Sequence, residues 1–190
     1  MHFKDICFPK NNEISFIEVA QKIKTKELIF VYEKKDFEIQ KKHNSENKEN
    51  NFKSQDTKNN SLLIKKFCLG RDIFVFNENI KSQKNKLCFI DSKHNNFRLP
   101  DRLTQVYVKT IKENNLTIII SPKILKNNSY EVAKYLLFVN LCKKYKVNLF
   151  ISSLAENPYE LKEKRLLFAF MNFLTKDTEY SKKCIMFNLF

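Results

Sequence analysis

Ser152, Ser153 and Glu156 stand at the end of an apolar run, residues 147–151, where a buried strand would deliver reactive groups. Hydroxyls and a carboxylate so close together suit a nucleophile with its base, or a metal-held water. Asp91, also closing an apolar run, is a second candidate carboxylate. Such chemistry needs supporting groups, and the chain is short of them. It has three histidines, His2, His43 and His94, none in a His-x-His or His-Glu-x-x-His pattern, so a histidine-built metal site is not expected. Its one glycine, Gly70, excludes a dinucleotide fingerprint, a phosphate-binding P-loop and a Gly-x-Ser-x-Gly elbow. Each of those needs several glycines for tight turns or close backbone approach. Asp91 and Glu156 are therefore expected to accept hydrogen bonds from backbone N–H groups or to pair with Lys or Arg. No catalytic and no metal-ligating residue is assigned.

Positive charge is the stronger signal. The 190 residues carry a formal charge of +14. Residues 1–32 hold five Lys/Arg against four acids, and 33–60 hold seven against six, so +12 of the excess lies after residue 60. A basic folded surface attracts phosphate chains by releasing their counterions. Arg98, Arg102, Lys123, Lys126, Lys162, Lys164 and Arg165 follow strand ends and are the candidate phosphate contacts, the four-arginine chain making its arginines the more telling. The alternative is a solvated, lysine-rich surface. The five cysteines, Cys7, Cys68, Cys88, Cys142 and Cys184, are scattered without a Cys-x-x-Cys pair and are expected to be reduced core thiols. No apolar run approaches the length of a membrane span, and the first residues lack the apolar stretch of a signal peptide, so a soluble, intracellular protein without a membrane partner is expected.

The elements that would position these residues alternate. Short apolar runs at 3–8, 28–32, 62–69, 72–76, 87–90, 116–120 and 147–151 read as strands, several without polar interruption, as strands buried on both faces do. Helical spacing marks 15–24 (Phe16, Val19, Ala20, Ile23), a helix carrying Val106, Val108 and Ile111, and 129–145 with an Asn128–Glu131 capping box. Residues 36–42 could hold a short helix, and 77–86 a short helix or turn. Asn157, Pro158 and Glu160 supply a cap, a first helical position and a first-turn acid. Residues 165–174 and 177–184 close the chain as helices. Residues 43–60 are polar and are expected to be a disordered insertion. Strand and helix in alternation predict a parallel α/β fold, read as one domain over 1–190. Seven strands favour a TIM-like barrel, with functional groups at the C-terminal strand ends.

The motif Ile151-Ser152-Ser153-Leu154-Ala155-Glu156, followed by Asn157-Pro158-Tyr159-Glu160-Leu161-Lys162, resembles the C-terminal motif of protein component 3 of ribonuclease P, the Rpp30/Rpp1-type subunit of ribonuclease P and MRP. Other pieces follow in the family's order: Lys4-Asp5-Ile6, Leu87-Cys88-Phe89-Ile90-Asp91, Phe97-Arg98-Leu99-Pro100, and the strand ending at Ser121-Pro122. The likeness is good over about 86–185. Leu154 and Asn77 stand where the family usually has glycine, and Arg98-Leu99-Pro100-Asp101 favours a compact eukaryotic member.

The resemblance implies a TIM-like barrel of the polymerase/histidinol-phosphatase type without a metal site. It implies a non-catalytic subunit supporting RNA-catalysed removal of the 5′ leader from precursor tRNA, and possibly serving ribonuclease MRP. The subunit would bind the ribonuclease P RNA backbone and a small Pop5-type protein. It would hold no cofactor itself, Mg²⁺ belonging to the RNA. Asp5, Asp91, Ser121, Pro122, Ser152, Ser153, Ala155, Glu156, Pro158 and Glu160 become structural motif residues. A nuclear or nucleolar location is implied in a eukaryote, a cytoplasmic one in an archaeon. A metal-dependent phosphoesterase and a generic basic RNA-binding scaffold are the competing readings.

Overall fold

The computed structural model describes residues 3–36, 38, 62–68, 73–75, 87–89, 105–126 and 129–186. The expected 43–60 insertion, the short helix or turn at 77–86, nearly all of the helix at 36–42, the Asn128–Glu131 capping box, Asp91, Arg98 and Arg102 lie outside what is described.

Seven strands occur among the described residues: β1 (Lys4–Cys7), β2 (Glu27–Tyr32), β3 (Leu63–Cys68), β4 (Ile73–Val75), β5 (Leu87–Phe89), β6 (Thr117–Ile120) and β7 (Asn148–Ile151). Helix α1 (Glu13–Lys22) joins β1 to β2, α2 (Gln105–Glu113) precedes β6, and α3 (Ser129–Lys144) joins β6 to β7. Two further helices, α4 (Lys164–Thr175) and α5 (Thr178–Ile185), follow. Every strand pairing is parallel.

The closed seven-stranded barrel is not formed. The strands make two open sheets, β1-β2-β3 and β4-β5-β6-β7. Closure would need ladders from β3 to β4 and from β7 to β1. Among the described residues β3 and β4 do not pair, and the β7 side meets β1 through one isolated bridge, Cys7 with Ala155. The reason lies just after β7. Leu154 turns the chain through a left-handed conformation (φ 47°). The Ser152 hydroxyl, the Asp5 carboxylate and the short backbone bridge at Ala155, rather than a continuous ladder, then make the link to β1.

Side-chain alternation places three apolar layers. Ile6, Ile29 and Val31 of the first sheet share a core with Leu87, Ile119 and Phe150 of the second. Leu28, Phe30 and Tyr32 face the other way, onto Phe16 and Ala20 of α1. The Phe16 and Phe30 rings meet edge-on at 6.1 Å. Ile118, Ile120, Leu149 and Ile151 pack beneath α2, α3, α4 and α5. The fully apolar runs are thus buried on both faces, which is why they lack polar alternation.

With one glycine, the chain ends its helices unusually. After α1, α2 and α3, the pairs Thr25 N–H to Ala20 O, Leu116 N–H to Ile111 O and Val147 N–H to Cys142 O span five residues. Each encloses a shorter bond from Lys24, Asn115 or Lys146, the Schellman pattern. Glycine normally takes its left-handed residue, whereas here φ is 57° at Lys24, 50° at Asn115 and 55° at Lys146. Lys24 is exposed, so its side chain contributes little burial against the backbone cost. Lys24→Gly is expected to stabilise the fold by about 0.5–1 kcal/mol, read as a higher denaturant midpoint. A lower midpoint would contradict this account of the cap.

Candidate functional site

The corner where β1, β6 and β7 end collects most of the described motif residues. Asp5 is fully buried on β1. Its Oδ1 accepts from the Ser152 hydroxyl (2.6 Å), the Ser153 N–H (2.7 Å) and the Ile6 N–H (2.9 Å), and its Oδ2 accepts from the Ser153 hydroxyl. Burial raises the Asp5 carboxyl above its ordinary value, and these hydrogen bonds only partly pull it back.

Both serines are committed. Ser152 Oγ also accepts the Ile6 N–H at 2.9 Å and the Leu154 N–H at 3.3 Å. Ser153 Oγ accepts the Lys162 N–H at 2.8 Å, while its carbonyl accepts the Ser121 hydroxyl at 2.9 Å. Ser121 Oγ in turn accepts the Lys123 N–H at 3.3 Å, fixing the 3-10 turn Pro122–Lys126 that leaves β6. Ser152 and Ser153 are 0% and 2% exposed, and both hydroxyls are engaged within the network. Nucleophilic chemistry is thus not what this corner is arranged for. It locks three strand ends together.

Asn157 Oδ1 accepts the Tyr159 N–H at 3.1 Å, and Pro158 starts the turn, as the sequence predicts. The expected helix is nevertheless only a 3-10 turn, Pro158–Glu160. Leu161 turns extended (ψ 137°) and Lys162 gives its N–H to Ser153, so α4 begins at Lys164.

Glu160 and Glu156 converge on a lysine whose place in the sequence suggests a phosphate contact. Lys123 Nζ lies 3.0 Å from Glu160 and 3.5 Å from Glu156, with its side chain 11% exposed. Glu160 also accepts the Glu156 N–H at 3.1 Å. A cleft of about 100 Å³ opens here between Ser121, Pro122, Lys123, Ser153, Glu160 and Lys162. Lys126 lies at the end of its turn. Lys164 and Arg165 are exposed in the first turn of α4, where the helix dipole disfavours cations. They are drawn there by no internal partner, as no ion pair engages Lys162, Lys164 or Arg165 among the described residues.

Among the described residues no group of three His, Cys, Asp or Glu is placed to hold a metal ion, and no helix is long and apolar enough to cross a membrane. Cys7, Cys88, Cys142 and Cys184 are buried and form no disulfide among the described residues. Burial pushes the Cys184 thiol up to about 12, which keeps it protonated and inert.

Sequence reasoning missed a second basic region at the opposite end of β7, where Lys143, Lys146, Lys182 and Lys183 come together. Its signal is present as lysine near the ends of α3 and α5, but dipole complementarity alone is enough to account for lysine there.

Fold and corner define a parallel α/β protein of two facing sheets whose strand ends are tied by a buried Asp–Ser network. A chain of the same fold occurs in a cryo-EM structure of archaeal ribonuclease P with mature tRNA. The similarity covers 95% of this chain and 86% of that one, at a TM-score of 0.62 and 19% identity. No protein-family model and no curated protein matches the chain.

Proposed function

We propose that this chain is a protein subunit of ribonuclease P that supports the RNA's removal of 5′ leaders from precursor tRNA. The observation that carries the reading is the near full-length likeness in fold to a chain of the archaeal enzyme. The buried hydroxyls of the corner and the net charge of +14 are consistent with a scaffold that meets RNA phosphates. A protein-component-3 type of subunit, partnered by a Pop5-type protein, fits the motif at 151–162. Service in ribonuclease MRP, and a nuclear or nucleolar site of action, would follow for a eukaryotic source, with Mg²⁺ held by the RNA.

The test is affinity purification of the tagged chain from its own cells, with sequencing of the RNA that accompanies it. One large structured RNA is expected, together with leader-cleaving activity in the pull-down and none in the purified chain. Recovery without RNA or sister proteins would overturn the reading. Arg98→Ala with Arg165→Ala is expected to weaken RNA association and reduce its salt slope by about 1 for each phosphate that an arginine no longer neutralises. Unchanged binding by a folded variant would place the RNA-facing surface elsewhere.

A further inference from the structure

We propose that the hollow between the end of α3, the start of β7 and α5 binds an unpaired RNA segment, its phosphates on Lys146 and Lys183 and a base on the apolar floor. The site lies at the opposite end of β7 from Ser152 and Ser153, and it does not depend on the ribonuclease P reading. The hollow has a volume of about 790 Å³, within the range of sites that enclose a small organic group. Its floor is Val147, Leu149, Tyr180 and Met186, and four lysines stand along it with two acids.

Charge accounting singles out two of those lysines. Lys143 Nζ lies 2.9 Å from Asp177, and Lys182 Nζ lies 2.7 Å from Glu179. Those ion pairs account for Lys143 and Lys182. Lys146 and Lys183 are exposed and have no ion pair among the described residues. Lys146 stands beyond α3 in a left-handed conformation (φ 55°), where glycine or asparagine would cost the backbone less. Two lysines without an ion pair among the described residues thus stand at the edge of an apolar hollow, with only helix poles beside them.

The floor decides between anionic ligands. An acidic peptide laid there would bring amide groups onto aliphatic side chains that cannot bond them. A nucleobase offers a π-face that needs no hydrogen-bond partner and stacks on an aromatic ring. Tyr180 supplies that ring, held by its hydroxyl donating to Val147 O at 3.4 Å. Concavity favours an unpaired strand, since a duplex keeps its bases stacked inside and meets such a hollow only by its rim.

The experiment is fluorescence anisotropy with a labelled oligouridylate of about ten nucleotides, comparing wild type with the Lys146→Asn/Lys183→Gln double variant. Asn tolerates the left-handed position and Gln suits a helix, so the variant should keep the wild-type circular dichroism and melting curve. Each single-strand phosphate neutralised contributes about 0.7 to the salt slope, so the variant's slope should be smaller by about 1.4. Between about 50 and about 200 mM salt, wild-type affinity should then fall roughly sevenfold more than the variant's. Equal affinity and slope would overturn the proposal. So would duplex RNA binding through the same lysines as tightly as the single strand, or polyglutamate competing as well as the oligonucleotide. Loss of the large RNA from the pull-down with this behaviour intact would sink the proposed function and support the hollow as a site. The reverse pattern would sink the hollow alone.

Discussion

Asp5→Ala is expected to destabilise the fold by about 3 kcal/mol, measured by denaturant unfolding. The Ser153 N–H gives its hydrogen to Asp5 Oδ1 inside a fully buried corner, and alanine leaves it without that acceptor. One buried unsatisfied donor costs about 1–3 kcal/mol, and the vacated carboxylate space adds to it. The Ile6 N–H is buffered, because Ser152 Oγ also accepts it at 2.9 Å. Asp5→Asn keeps one carbonyl oxygen for the Ser153 N–H and should cost less, about 1 kcal/mol. Equal losses for the two variants would show that the acceptor is not what matters.

The same carboxyl gives a pH signature. Desolvation holds it above the ordinary carboxylate value, outweighing the hydrogen bonds from Ser152, Ser153 and Ile6. In the unfolded chain it ionises at the ordinary value, so between the two values the folded state keeps a proton the unfolded state has lost. Its stabilising contribution is fully present below the ordinary range and is lost as pH rises through the raised folded value. Asp5→Asn does not titrate. The stability difference between wild type and Asp5→Asn should therefore grow as pH falls from neutrality toward about 4. A difference independent of pH would mean that Asp5 does not titrate in that window.

That corner shows what the sequence could and could not reveal. The strands are legible because runs such as Leu28 to Tyr32 and Thr117 to Ile120 are buried on both faces and carry no polar alternation. The turn at Asn157-Pro158 is legible because its cap is local. The closing of the β1 edge is not, because it rests on a contact between residues 148 positions apart, Asp5 and Ser153. Nothing in the local pattern distinguishes a serine that extends a ladder from one that replaces it. Lys123 reads as a phosphate contact for the same reason, since its partners Glu156 and Glu160 lie on a separate turn. The length of the helix after Pro158 is overestimated from sequence because a tertiary bond, Lys162 N–H to Ser153, takes the amide away from the helix.

Leu154→Gly is expected to destabilise the protein by about 3 kcal/mol, although glycine is the residue its backbone would prefer. Two terms compete at this position. Leu154 adopts φ 47°, where a β-carbon costs about 1–2 kcal/mol. Its side chain is wholly buried among Ile6, Phe8, Ile29, Val31, Ile119 and Phe150, the core shared by both sheets. Removing a leucine from such a core costs about 3–5 kcal/mol in transfer and cavity terms. Glycine also gives the unfolded chain more freedom, a further cost of about 0.4–1 kcal/mol. Burial wins, which explains how the chain keeps a left-handed corner at a leucine rather than a glycine. The strain is retained because the strained residue plugs the gap between two sheets that no continuous ladder joins among the described residues. A Leu154→Gly variant more stable than wild type would reverse that ordering of terms and show that the corner is held by its hydrogen bonds alone.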